Sequence, residues 1–399
     1  MKSIIVALVP VFLVACAPGE EPLLLGAKSA GIVPLAAPMP GQGIQLGMTK
    51  TIAPGEESYG CRLFQVPDDG MFVHEQTVYF GPGGHHVLLY KTPYGAIPEM
   101  AETGALIDAA EVHDCSEGVT ALWKVDSVLG GSEIMDHPGM LRGLPEGVAV
   151  HLPGKTVVVM SVHYLNASSE PSVVDARMNL NSIPAQDVKM EAGLLYLDNQ
   201  LLHVPPMGTS RARMRCPVPS DVFIVNLQSH MHARGLSFSA EAFDSGGMSS
   251  GIMYETQKWL EPPVQSYKPF MELSAGQTIE MQCNYASSEA RTIGYGPQAS
   301  DEMCQLIGPY FPRDERFEAC ANAGGVFAAE WIGHGSSSGK KTRECLECGI
   351  DSPDYVGCIY DACPAIAARV SAAVRCELAR GARACAAEMN ALAQATCSK

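Results

Sequence analysis

The chain has 399 residues, 47% of them hydrophobic and 18% charged, and a formal net charge of -16. That length suffices for two or three domains with a substantial core. The acidic balance, with no cluster of Lys and Arg, argues against nucleic acid as a partner.

The N-terminus reads as an export signal. Lys2 precedes an apolar run, Ile4 to Val14, which is too short to cross a bilayer as a helix. The run ends Leu13-Val14-Ala15-Cys16, which looks like a bacterial lipobox, so Cys16 is the expected lipidation site and residues 1–15 the signal peptide. An ordinary signal peptide with a coincidental cysteine is the alternative. Residues 16–45, rich in Pro, Gly and Ala, read as a tether. The expected setting is an exported lipoprotein of the bacterial cell envelope, at the outer membrane or cell surface. Fourteen cysteines in an exported chain point to disulfides.

From about residue 46 to Cys320 the pattern is β. Runs such as Thr77-Val78-Tyr79-Phe80, Val87-Leu88-Leu89-Tyr90 and Thr156-Val157-Val158-Val159-Met160 alternate with Gly/Pro/Asn/Asp turns. No long 3.6-residue periodicity intervenes, so the expected fold class is all-β, as antiparallel sandwiches. About 275 residues are too many for one small sandwich, so two are expected, 46–184 and 185–320, joined near Ile183-Pro184-Ala185-Gln186. Residues 321–342, rich in Gly and Ser, read as a linker. The last segment, 343–399, holds Cys345, Cys348, Cys358, Cys363, Cys376, Cys385 and Cys397 and turns Ala-rich after Pro364, which suggests a small helical module stapled by disulfides. Cys345-x-x-Cys348 with Cys358 and Cys363 also suits zinc, but export favours disulfides. Seven is odd, which leaves one thiol without a partner in that module.

Four places could carry chemistry. Val222-Phe223-Ile224-Val225 reads as a buried strand running into Gln228-Ser229-His230-Met231-His232. Alternate strand residues share a face, so His230 and His232 point the same way, as two metal ligands should. Imidazole suits zinc, copper, iron or nickel, and two strand histidines can also be purely structural. In Gly83-Gly84-His85-His86 the histidines are adjacent and would face opposite sides of a regular strand. They share a metal only if the backbone is distorted, which two preceding glycines permit by a bulge or kink. Val162-His163-Tyr164 and Asp301-Glu302-Met303-Cys304 complete the set. The remaining histidines (His74, His113, His137, His151, His203, His334) lack such settings and read as structural or surface residues.

In this order the blocks His85-His86-Val-Leu-Leu-Tyr, Val162-His163-Tyr164, His230-Met-His232 and Asp301-Glu302-Met303-Cys304 resemble the copper type II, ascorbate-dependent monooxygenases. The resemblance covers residues about 46 to 320 and implies two jelly-roll-like sandwiches with two coppers per chain. It makes His85, His86 and His163 the ligands of an electron-supplying copper. His230, His232 and Met303 become the catalytic ligands of an oxygen-binding copper. A thioether among the donors suits Cu(I). The implied reaction hydroxylates an activated C–H of a small organic or peptide-like substrate, using O2 and a reductant such as ascorbate. The runner-up is a surface lipoprotein of the same fold that binds copper without catalysis; a β-sandwich adhesion module with incidental histidines is a third reading.

The resemblance also implies the bridges Cys61–Cys115, Cys216–Cys320 and Cys283–Cys304, while a further family bridge would need cysteines where Thr92 and Thr120 stand. Three departures concern the substrate. Gln228 occupies the place of an Arg that binds a peptide carboxylate in the peptide-modifying enzymes, and an amide cannot make that charged, bidentate contact. Ile307 replaces a Tyr, and Ser161 a Gln. Gln228 and Ile307 are accordingly the positions expected to contact substrate, and a glycine-ended peptide is disfavoured.

Overall fold

The computed structural model describes residues 35–133, 139–200, 202, 204, 206–318, 320–321, 330–336, 369 and 386–394. The stretch read as an export signal, Cys16 and most of the cysteine-rich tail lie outside them. The described part is nearly all β. Ten strands come first: β1 (Gly43–Ile52), β2 (Glu57–Gln65), β3 (Met71–Phe80), β4 (Gly84–Lys91), β5 (His113–Asp114), β6 (Ser127–Ser132), β7 (Val148–Leu152), β8 (Val157–Leu165), β9 (Ser172–Ile183) and β10 (Met190–Glu191). They form two five-stranded sheets, ordered β1-β9-β3-β7-β10 and β5-β2-β8-β4-β6. The one-turn α1 (Val119–Leu122) sits between β5 and β6.

Ten more strands follow: β11 (Gly193–Asp198), β12 (Thr209–Pro217), β13 (Val222–His230), β14 (Gly235–Phe243), β15 (Ser249–Thr256), β16 (Gln265–Leu273), β17 (Thr278–Ala286), β18 (Gln305–Phe311), β19 (Cys320–Ala321) and β20 (Glu330–Ser336). Their sheets run β16-β13-β18-β11-β19 and β15-β14-β17-β12-β20. In the tail, α2 (Ala386–Ala393) is described.

Each half packs around its own core. The first gathers Leu46, Val78, Val87, Leu89, Val162 and Leu180; the second gathers Leu195, Ile224, Phe238, Met281, Cys304 and Tyr310. Strand alternation then decides what faces the other half. On β4, Val87 and Leu89 turn into the first core, so His86, Leu88 and Tyr90 turn out of it. On β8, Val158, Met160, Val162 and Tyr164 turn in, leaving Ser161 and His163 outward. On β11, Leu195 and Leu197 turn into the second core, and Leu194, Tyr196 and Asp198 turn out. The outward faces of the β2-β8-β4-β6 and β13-β18-β11 sheets meet each other. Leu88, Val128, Met140, Leu194 and Ile307 form a separate apolar cluster at that seam. Asn226 donates to Arg142 O (2.9 Å), Gln298 to Ser116 O (2.7 Å), and Tyr59 to Pro297 O.

Three expected boundaries shift. The changeover between cores lies at Ala192–Leu195, past Ile183-Pro184, because β10 pairs in parallel with β7 and Ala192 packs in the first core. The stretch read as linker contains β20, which pairs antiparallel with β12. Composition hid it: a Gly/Ser-rich segment can still be captured by an open strand edge that offers unpaired backbone groups. At the other end, β1 starts at Gly43, inside the stretch read as tether, and residues 35–36 accept side-chain hydrogen bonds from Gln45 and Asn179.

All three disulfides implied by the resemblance are present: Cys61–Cys115, Cys216–Cys320 and Cys283–Cys304, with Cα–Cα distances of 5.9, 6.2 and 6.0 Å. Thr92, at one missing-bridge position, is buried and donates to Val157 O (2.7 Å).

Candidate metal centre

His85, His86 and His163 converge on neighbouring strands. His86 pairs directly with His163 across β4 and β8, and the register slips by one residue between Gly84 and His86. That bulge, entered through Gly83 at φ 93°, is the distortion that adjacent histidines need to share a face. Nδ1 of His85 lies 3.2 Å from Nδ1 of His86, and one donor nitrogen from each of the three rings lies within 4.8 Å of the others. His163 stacks on Tyr59 at 4.2 Å, its partner across β2 and β8. Its Nε2 meets Glu57 Oε1 at 2.9 Å, while its Nδ1 is buried without a hydrogen-bond partner. Glu57 Oε1 also accepts from Ala299 N of the second half (2.6 Å).

His230 ends β13 and His232 follows it, with ring centroids 5.1 Å apart. Met231, between them, points into the second core. The Nδ1 of His230 meets Glu133 Oε2 at 2.9 Å, and the Nδ1 of His232 meets Asp301 O at 3.0 Å. Nε2 of His232 is buried and has no hydrogen-bond partner. The backbone that carries these rings is clamped by Glu302, which accepts from the N–H groups of His232 (3.0 Å) and Arg234 (2.7 Å). Cys304 ties the same loop to β17 through Cys283, and Tyr285 donates to Met303 O (2.8 Å).

The electrostatics hold three of the imidazoles as neutral donors. Burial and the neighbouring histidines push His85 down to about 4 and His86 and His232 well below the usual histidine range. His230 goes the other way: burial opposes its charge most strongly of any one cause, but Glu133, Glu302 and Asp198 together raise it. Burial lifts Glu302 to about 7 against the hydrogen bonds it accepts.

Both clusters open on one cavity of about 430 Å³ between the halves. His86, His230 and Met303 line it with Tyr59, Tyr90, Tyr196, Asp198, Tyr295 and Gln305. The rings of His86 and His230 are 5.2 Å apart. Asp198 is fully buried and accepts from Gln200 (2.6 Å), Tyr295 (3.0 Å) and Gln305 (3.1 Å); burial raises its pKa to about 6 despite these bonds. Among the described residues lining the cavity there is no Lys or Arg.

Sequence reasoning did not find Glu57, Glu133, Asp198 or Tyr295. Only the alternation of β11, Leu-Leu-Tyr-Leu-Asp, hints that Asp198 shares a face with Tyr196. Gln228 and Ile307, expected at the substrate, are placed away from the cavity lining. Gln228 donates to Pro262 O (2.9 Å), and Ile307 fills the seam cluster with Leu88 and Leu194. Among histidines read as structural, His74 contacts Val148 O (2.8 Å) and His151 stacks on Phe72.

The chemistry of these donors fits copper. Two buried imidazole nitrogens, His163 Nδ1 and His232 Nε2, lack partners among the described residues, a state costing about 1–3 kcal/mol each unless something binds the lone pair. Each of those rings has its other nitrogen held by an oxygen, the outer-shell pattern of metal-ligating histidine. Imidazoles with a thioether nearby favour copper over harder cations.

Fold and site thus define an all-β protein with two histidine clusters facing one cavity. Residues 190–328 match the family described as copper type II ascorbate-dependent monooxygenase, C-terminal domain. No curated protein matches. Among solved structures, one of infectious bursal disease virus Gt strain aligns at 8% identity over 69% of this chain and 73% of that one, with a TM-score of 0.16.

Proposed function

We propose that the protein is a monooxygenase that binds two coppers per chain and hydroxylates an activated C–H of a small organic substrate, with O2 and ascorbate or a similar reductant. The observation that carries this reading is the single cavity that both histidine clusters and Met303 face. His85, His86 and His163 would hold one copper; His230, His232 and Met303 would hold the other. Bound copper would supply one-electron chemistry toward O2 and the substrate. The protein's own residues do the rest. Glu57, Glu133 and Asp301 O orient the imidazoles, and tyrosines line the walls. Asp198, the absence of Lys and Arg in the lining, and the rings of Tyr90, Tyr196 and Tyr295 favour a cationic or neutral aromatic substrate over a carboxylate.

The test is to load purified protein with copper, measure stoichiometry, and follow ascorbate-dependent O2 consumption with small amines, phenethyl compounds and peptides. Two coppers and substrate-dependent oxygen uptake are expected; copper without uptake would favour the non-catalytic copper-binding reading. The two tandem units we read as jelly rolls, and the export of the chain as a lipoprotein on Cys16. Replacing Cys16 with Ser should release the protein from membranes and abolish lipid labelling.

A further inference from the structure

Glu133 follows β6 directly and ends in the space between the two histidine clusters. Its carboxylate is buried: the side chain is 4% exposed, as is that of His230, with which it pairs at 2.9 Å. The same Oε2 lies 3.8 Å from Nδ1 of His86, whose side chain is 6% exposed. A donor oxygen or nitrogen from each of His86, Glu133 and His230 lies within 4.8 Å of the other two, so one carboxylate touches both clusters. A buried carboxylate is costly unless it is paired and hydrogen-bonded, which makes an incidental Glu at this place expensive to keep.

We propose that Glu133 is a positioning residue shared by the two metal centres. It accepts from Nδ1–H of His230, fixing the tautomer that leaves Nε2 free to ligate, and it sets one negative charge beside the metal of the three-histidine cluster. The inference rests on the two-copper reading above. The first half follows from the geometry, because an imidazole whose Nδ1–H is donated to an oxygen can offer only Nε2 to a metal. The second follows from Coulomb's law in a dry site. A negative charge a few ångströms from a copper favours the more positive oxidation state, so its removal makes both centres easier to reduce.

The experiment uses the full-length copper-loaded protein and its Glu133→Gln and Glu133→Ala variants, with copper ions as the probe. Glu133→Gln keeps volume and an acceptor oxygen but removes the charge, so both midpoint potentials should rise while two coppers stay bound. Glu133→Ala removes the acceptor as well, and copper affinity at the His230/His232/Met303 centre should fall about 10–100-fold. Unchanged potentials in Glu133→Gln at full copper loading would overturn the shared-charge claim. Should the variants fail to fold, the copper-loaded wild type decides by anomalous X-ray scattering. Copper on His230 Nε2 with Glu133 still on Nδ1 supports the proposal. Copper on His230 Nδ1, in place of that hydrogen bond, overturns it. A wild type that binds no copper overturns the two-copper reading itself, which separates the two failures.

Discussion

The two histidine clusters are built on different kinds of backbone. His85, His86 and His163 sit within the paired strands β4 and β8, where cross-strand register fixes His86 and His163 and a single bulge turns His85 to the shared face. His230 and His232 sit where β13 ends, and Met303 lies in the loop before β18. His230 still pairs with Gln305 on β18, but past it the ladder ends, and its work passes to Glu302, the Cys283–Cys304 bridge and the Tyr285 hydrogen bond. A site inside a sheet has little freedom; a site on strand ends can rearrange locally without breaking a sheet. On the proposed reading, the first arrangement suits a centre that only passes electrons, the second one that must admit O2 and a substrate. The same contrast tells which changes should harm one cluster and spare the other.

The largest effect should come from Met303→Ile. The substitution roughly conserves volume and apolar character, so the fold should lose only about 1 kcal/mol. Outer-shell partners of metal ligands are worth about 10–100-fold, and a direct donor should exceed that, so ascorbate-dependent turnover should collapse. Copper at the His85/His86/His163 cluster should stay. X-ray absorption of the reduced protein should show a sulfur scatterer in wild type and none in the variant. Normal turnover in Met303→Ile would reduce this methionine to packing.

Next in size is the bridge. Replacing Cys283 and Cys304 by Ser opens a link across a sequence separation of 21 residues and should cost about 2–4 kcal/mol in denaturant unfolding. The contrast is sharper than the energy: the second centre should lose copper selectively, while the first, which no part of that bridge touches, keeps it. Equal loss from both would mean that the bridge supports the whole half and not the loop.

The converse change aims at the sheet-built cluster. Gly131 on β6 has φ 152°, and a Cβ there would sit 2.1 Å from Val87 O, the residue next to His86. Gly131→Ala must therefore part β6 from β4, and backbone strain of this kind costs about 1–3 kcal/mol. Thermal unfolding should report the cost, and copper content should fall first at the three-histidine cluster. Loss confined to the other cluster would contradict the division drawn here.

These same details mark what a sequence can and cannot disclose. The bulge at His85-His86 was legible because two glycines precede adjacent histidines, and only a distorted strand lets such a pair act together. His230 and His232 were legible from strand alternation, and the three bridges from the family pattern. Glu133, Glu57 and Asp198 were not, because each gains its meaning from a strand far away in the chain: Glu133 from His230, Glu57 from His163 and Ala299, Asp198 from Tyr295 and Gln305. Gln228 misled for the same reason. Its place in a motif is a local fact, whereas its burial against Pro262 depends on tertiary packing. Strand β20 escaped because its partner, the open edge of β12, is a property of the folded sheet.

The smallest effect, and the one that bears most on substrate, concerns Asp198. Burial holds its pKa near 6, above the ordinary carboxylate value of 3.8, so the folded protein carries this charge only above about pH 6. The sign for stability follows. Between about 3.8 and 6 the unfolded chain has already released the proton that the fold still holds, so this group's contribution weakens as pH rises through that window. The sign for binding is opposite, since a cationic substrate gains a partner as Asp198 ionises. KM for an amine should therefore fall as pH rises through about 6, in wild type but not in Asp198→Asn. Above pH 6 the variant should bind the amine about tenfold more weakly, a difference of about 1.4 kcal/mol. A neutral analogue of the same shape should bind wild type and variant alike, because it never draws on the charge. If the amine and the neutral analogue lose affinity equally in Asp198→Asn, then Asp198 shapes the wall through Gln200, Tyr295 and Gln305 and does not read substrate charge. A KM for the amine that stays flat across pH 6 in wild type would lead to the same conclusion without any variant.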